Sequence, residues 1–184
     1  MMKTCFKITL LLFSILVVSA CTSLPKQLDS TNPELVTDYD LWKANPKKND
    51  ELRLSGVVAK VTNLKSTTRV EVVNVSSDFT GKPDLEKEPT GRFVVYLDGF
   101  VDPVALSGGR LITVLGSSNG TEIGEVGEFS YTFPVMMAKA YHLWRVEQRV
   151  IMDDFGRSIY PCAGLYCSYH RVGPSQGRVV KEVQ

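Results

Sequence analysis

The spacing of apolar and polar positions divides the chain into unlike stretches. Ile8 to Val18 is a run of 11 residues, apolar except for Thr9 and Ser14. As a helix it would span about 16 Å at roughly 1.5 Å per residue, against about 30 Å for a hydrocarbon core. Lys3 and Lys7 precede or flank it, and the small residues Ser19 and Ala20 follow. That layout predicts a signal peptide over residues 1–20 rather than a membrane span. Elsewhere no run is long or apolar enough to cross a bilayer. Residues 21–31 are mostly polar with one Pro and predict a tether.

In "NPELVTDYDLWKANP" Leu35, Val36, Tyr39 and Trp42 recur at helical spacing. Asn32 suits the N-cap, Pro33 the first turn and Glu34 the positive end. Asn45-Pro46 would stop the helix. From Glu51 the period changes to strand character. "LRLSGVVAKVTN" alternates and is rich in β-branched residues, with Gly56 at a point suited to a kink or bulge. "TTRVEVVNV", "RFVVYLDGF", "RLITVLG" and "FSYTFPVMMAKAYHLWR" predict four more strands.

Their connections are legible too. Lys65-Ser66 forms the first turn, "SSDFTGKPDLEKEPTG" a polar loop, and Asp102-Pro103 with Gly108-Gly109 a third connection. "SSNGTEIGEVGE" reads as a Gly-rich turn. Past Val150 the pattern fades into a turn-rich stretch, and residues 173–184 read as a mobile tail.

Five strands with no long helical crossover predict a mainly β fold. The expectation is a small OB-like antiparallel barrel with a short N-terminal helix, a sandwich being the alternative. The predicted organisation is a signal peptide over 1–20, a tether over 21–31, the barrel over 32–150 and a turn-rich segment over 151–184. Phe100, Tyr131 and Trp144, near strand ends, are expected in the core.

Composition changes this picture in one respect. The chain has 43% hydrophobic and 22% charged residues, ordinary for a globular protein. Its 21 basic and 20 acidic residues give a formal charge of +1. Removing Lys3 and Lys7 with the signal leaves 19 basic residues against 20 acidic ones, about −1. OB-like barrels that bind single strands combine a basic groove with stacking aromatics. A near-neutral chain exported from the cytoplasm excludes nucleic acid as a partner.

Cys21 carries the most specific chemistry. Val18-Ser19-Ala20-Cys21 matches a bacterial lipobox: an aliphatic residue, two small ones, then Cys. The thiol of that Cys receives a diacylglycerol. A dedicated peptidase cuts between Ala20 and Cys21, and the new amine is acylated, for example with palmitate. Thr22 follows where an Asp would favour retention in the inner membrane, so the expected destination is the outer membrane, on its periplasmic side.

Cys5 leaves with the signal, so Cys162 and Cys167 are the remaining pair. An oxidising periplasm reads them as an intramolecular disulfide. A metal site with His170 or His142 is an alternative, although Cys-x4-Cys-x2-His is an uncommon zinc spacing. Two free or intermolecular thiols are the third.

"GFVDPVALSGGRLITVLG" from Gly99 to Gly116 resembles the signature of the Slp family, the starvation-inducible outer-membrane lipoproteins. "LRLSGVV", "TRVEVVNV", "GKPDLEKEPTGRF" and "IGEVGEFSYTFPVMMAKAYHLW" follow the family's order, over residues 21–146. Leu54-Ser55 stands where the family more often has an aromatic and a Gly, and the stretch from Asp153 departs from the family pattern. The resemblance implies an outer-membrane lipoprotein tied to starvation or stationary phase, with no catalytic residue or cofactor.

The residues themselves point the same way. His142 lies among apolar neighbours and reads as structural; His170 reads as solvated. No G-x-S-x-G elbow or P-loop spacing occurs. Glu122, Glu125 and Glu128 read as a solvated acidic turn, and Asp153-Asp154 lacks the ligand spacing of a calcium loop. The expected function is therefore non-enzymatic: a barrel binding an envelope protein or cell-wall component. A membrane-tethered small-ligand carrier or enzyme is the competing expectation, and a purely structural lipoprotein the third.

Overall fold

The computed structural model describes residues 23–152 and 177–184. Five strands form a closed hydrogen-bonded ring: β1 (Glu51–Asn63), β2 (Thr67–Asn74), β3 (Gly91–Asp98), β4 (Leu111–Val126) and β5 (Phe129–Trp144). The order around the ring is β1-β2-β3-β5-β4. β1 pairs antiparallel with β2 and with β4, and β2 antiparallel with β3. The β3–β5 pair is parallel, through Val94–Val135, Val95–Met136 and Tyr96–Met137. The ring is thus mostly antiparallel, as expected, with one parallel seam for a topological reason. An odd number of strands in a closed ring cannot alternate direction all the way round.

Alternation decides what fills the ring. Val70 and Val72 of β2 and Phe93, Val95 and Leu97 of β3 point into one core with Leu52, Leu54, Ile112, Val114 and Met136. The residues between them, Arg69, Glu71, Val94 and Tyr96, lie on the opposite face, as the period of two requires. Phe100, expected inside, is 75% exposed on the loop after β3, whereas Trp144 is buried.

The short helix α1 (Tyr39–Ala44) starts later than the sequence pattern suggests. Val36 is extended, because its N–H donates to the Glu51 carbonyl and its carbonyl accepts from the Arg53 N–H. The helix can begin only beyond that pairing. Its N-cap is Asp38, whose side chain accepts from the N–H groups of Asp40 and Leu41. Asn32 instead closes a turn by accepting from Glu34 N–H. Six residues are too few for a stable isolated helix, so packing holds this one. Tyr39 and Trp42 stack against Phe93 with ring centroids 6.1 and 6.0 Å away. Trp42 Nε1 donates to Ser118 Oγ at 2.9 Å.

Two further differences concern strands. The stretch "SSNGTEIGEVGE" is mostly strand, and the turn lies at Gly127-Glu128, where Gly127 has φ +63°. Its glycines disguised a strand whose burial alternates to the end. The irregularity in β1 sits between Val58 and Lys60, not at Gly56.

The residues before α1 are docked, not free. A single 3₁₀ turn over Lys26–Leu28 buries Leu28 completely. Ser30 Oγ donates to Glu51, and Lys139 Nζ donates to the same carboxylate at 2.6 Å. The hydrogen bonds from Lys139 and Ser30 hold the Glu51 carboxyl below its ordinary value near 4.5. A depressed folded value means that this contribution is complete above the unfolded value and is lost as pH falls through the folded one. The Val36 amide is therefore expected to lose hydrogen-exchange protection as pH falls below the ordinary carboxylate value, after correction for the intrinsic rate. Glu51→Gln should remove the pH dependence; a protection factor in the unmodified protein that stays constant down to the onset of acid unfolding would contradict it.

Trp144–Gln184 forms a separate compact unit. In it β6 (Val146–Met152) pairs antiparallel with β7 (Gly177–Val183), and Arg145 and Gln184 exchange backbone hydrogen bonds beyond the ladder. Residues 177–183, expected as tail, are thus strand. The residue pairs Val150–Val179 and Val146–Val183 place β-branched side chains opposite each other, an arrangement that favours pairing.

Candidate functional site

A groove of about 390 Å³ opens beside α1. Its walls are Thr37–Asp40, Arg53–Ser55 of β1, and Asn74–Phe79 running from β2 into the following loop, with Thr90. The sequence supplies small polar residues here because three chain segments end or turn at this place. Their side chains bind one another. Asn74 Nδ2 donates to Thr90 Oγ1 at 2.7 Å, and Ser55 Oγ donates to the Val75 carbonyl. Among the described residues no buried side-chain polar atom lacks a partner.

The loop wall is a tight turn over Asp78–Gly81. Gly81 N–H donates to the Asp78 carbonyl at 3.0 Å. The Asp78 side chain accepts from Thr80 N–H, Thr80 Oγ1 and Lys82 N–H at 2.8, 2.6 and 3.1 Å. Phe79 sits at the apex of this turn, 83% exposed. Among the described residues no His or Cys lines the groove. It offers hydroxyl, amide and carboxylate groups with an aromatic rim, which suits reversible binding.

A second constellation lies on the outer face of β2 and β3. Arg69 Nη1 donates to Glu71 at 2.6 Å and its Nε to Glu122 Oε1 at 2.8 Å. Tyr96 OH donates to Glu122 Oε2 at 2.7 Å. Arg69 also lies over the Phe133 ring, 5.7 Å from its centroid. Burial works against the Arg69 charge, but Glu71 and Glu122 outweigh it and raise its pKa. Burial, and then the Glu122 hydrogen bond, raise the Tyr96 phenol. Glu122 is thus no part of a solvated turn: it belongs to β4 and joins this cluster. Glu125 and Glu128 are exposed as expected. The missed signal was the alternation of Glu122, Gly124 and Val126 with exposed neighbours.

His142 lies against Gln27 of the N-terminal segment. Gln27 Nε2 donates to the Tyr141 carbonyl and to His142 Nδ1, each at 3.1 Å. Burial lowers the His142 pKa. Among the described residues no group of His, Cys, Asp and Glu is arranged to hold a metal. Ala20, Cys21, Cys162, Cys167 and His170 lie outside the described residues.

Comparison with known proteins adds what this geometry cannot supply. A model of the outer membrane lipoprotein Slp family matches residues 18–174. The match runs through Cys162 and Cys167, beyond the segments in which the resemblance was legible. The chain is 32% identical over 174 residues to the uncharacterized lipoprotein YeaY of Escherichia coli strain K12, covering 90% of each chain. It is 26% identical to the outer membrane protein Slp of the same strain, covering 86% of this chain and 88% of that one. An uncharacterized Haemophilus influenzae protein is 40% identical over 94 residues, about half of each chain.

Among solved structures, a small single-stranded DNA-binding protein from Streptomyces coelicolor matches at 16% identity and a TM-score of 0.33, covering 53% of this chain and 95% of that one. A likeness that weak carries no argument about ligand or fold. The family match spans the ring and its N-terminal segment, and two relatives cover nearly the whole chain. By these matches the chain belongs to the outer membrane lipoprotein Slp family.

Proposed function

We propose that this protein is a lipid-anchored, non-enzymatic component of the outer membrane, attached through Cys21 after cleavage behind Ala20. Its ring, an OB-like barrel on this reading, faces the periplasm and binds an envelope protein or cell-wall component through the groove beside α1. Its use falls in starvation or stationary phase. The observation that carries the reading is the coincidence of a lipobox at Val18–Cys21 with a family match that begins at residue 18. Each buried CH₂ contributes about 0.8 kcal/mol, so three acyl chains hold a protein to a bilayer for practical purposes permanently. Cys162 and Cys167 form a disulfide on this reading, stapling the stretch between β6 and β7.

The interior supports binding on the surface over carriage inside. Leu52, Val70, Val72, Phe93, Val95, Ile112, Val114 and Met136 fill the ring and are all fully buried. A ligand carried inside the ring would need a cavity among them.

Labelled palmitate fed to growing cells tests the anchor. The label is expected in this protein in the outer-membrane fraction and is expected to vanish in Cys21→Ala. Unlabelled protein, soluble in the periplasm, would reject it.

A further inference from the structure

We infer that the Asp78–Gly81 turn is a membrane-docking element, seating Phe79 in the headgroup region of the phospholipid leaflet that holds the anchor. The inference rests on the lipidation of Cys21 and goes beyond it, because it assigns which face of the ring meets the bilayer.

The first argument is length. Cys21 and Leu24 are three residues apart. At no more than about 3.6 Å per residue, that stretch spans at most about 11 Å. At Leu24 the chain is already against the ring. A Cβ built on Gly81 would lie 3.0 Å from Leu24 Cδ1 and 3.6 Å from Leu28 Cδ1. Leu28 is fully buried, and its carbonyl accepts from Arg53 Nη1. Gln27 is held at Tyr141 and His142. The lipid therefore emerges beside the Asp78–Gly81 turn, and a leash this short brings that face to the leaflet.

The second argument is what the turn presents. Phe79 is two residues from Gly81, at the apex of a turn pinned by three hydrogen bonds to one Asp side chain. From below, Thr113 Oγ1 donates to the Gly81 carbonyl at 2.6 Å. The exposure of Phe79 is thus built into a rigid support and is not the fraying of a loose loop. Lys26, exposed and five residues after Cys21, adds a cation of the kind that meets headgroup phosphates. Aromatic side chains with flanking cations concentrate at membrane interfaces. A polymer chain or protein stacking on Phe79 from the groove is the competing occupant, and the test distinguishes it.

The lipidated full chain carrying Phe79→Trp is placed in vesicles of phosphatidylethanolamine and phosphatidylglycerol, with or without brominated acyl chains. Trp42 and Trp144 are 2% and 4% exposed, so bromolipid barely reaches them and the emission of the unmodified protein can be subtracted. Bromolipid is expected to reduce the added Trp emission at least twofold. Ile123→Trp is the control. Its site is 82% exposed and ten residues along β4 from Thr113, about 30 Å of strand. Its emission is expected to stay unchanged. Equal quenching at both sites overturns the inference, since it means free tumbling on the anchor. No quenching at Phe79→Trp, in protein that carries palmitate and floats with the vesicles, also overturns it and leaves the anchor standing. Protein that neither carries palmitate nor floats removes both.

Discussion

Replacing Gly56 with alanine is expected to destabilise the ring by about 3 kcal/mol or more, on the scale of overpacking and backbone-strain substitutions. A Cβ at Gly56 would lie 2.1 Å from the Val73 carbonyl oxygen, 2.9 Å from the Val73 carbonyl carbon and 2.7 Å from Val72 Cγ1. Two of those atoms are backbone, so no rotamer change relieves the clash. Moving β1 away from β2 does not help either. Gly56 pairs with Asn74 on one side and Ile112 on the other, so a shift strains both ladders. A domain of this size has only about 5–15 kcal/mol to lose. The loss should appear as a fall in Tm on the order of 10 °C. Gly108→Ala is the matched control. The nearest atom to its added Cβ would be the Ala59 carbonyl oxygen at 3.7 Å, ordinary contact, and its effect should stay within about 0.5 kcal/mol. Equal melting temperatures for the two variants would show that β1 can shift away from Val73 without loss.

Arg69→Ala carries the second large effect, about 2 kcal/mol. The guanidinium sits between Glu71 and Glu122, with side-chain exposures of 18% for Arg69, 8% for Glu71 and 25% for Glu122. Removing it leaves both carboxylates without their cation, Glu122 keeping the Tyr96 hydroxyl as a donor. Breaking a fully buried pair costs about 3–5 kcal/mol, and the partial exposure of this one reduces the figure. The loss is also local. Glu122 lies on the distal half of β4, where Gly124 lies against the Phe133 ring, which is buried outside the main core cluster. Amide exchange is therefore expected to rise first at 119–126 and 129–133, before the ring itself opens. The double variant Arg69→Ala/Glu122→Gln should recover part of the loss, because it removes one of the stranded charges. A double variant as unstable as the single one would mean that Arg69 acts through its packing on Phe133 alone.

The strands β1, β2 and β3 were legible in the sequence to within a residue or two. Their alternation of apolar and polar positions is a local consequence of burying one face. The turn chemistry at Asp102-Pro103 and Gly108-Gly109 was legible for the same reason: Asp102 Oδ1 accepts from Val104 N–H, and Gly109 has φ +85°. The distal half of β4 was not, since Gly120, Gly124 and Gly127 read as turn signals. Gly124 is needed for another purpose: a Cβ there would lie 3.1 Å from the Phe133 ring. The helix start was misread because Asn32 and Pro33 are good helix-starting residues in isolation, whereas Val36 is claimed by the edge of β1.

The sequence alone determined the strand-rich composition of the body, the Val18-Ser19-Ala20-Cys21 pattern on which the proposed anchor rests, and the near balance of charge beyond residue 20. Each depends on residues adjacent in the chain or on a simple sum over it. Only the tertiary structure decided the parallel β3–β5 seam, the docking of Leu24 and Leu28 on the ring, and the meeting of Arg69 with Glu122. That last pair is separated by 53 residues. No local periodicity encodes such a contact. It exists because an odd-stranded ring closes with β5 beside β3, carrying the far end of β4 across the outer face of strands that are not its neighbours.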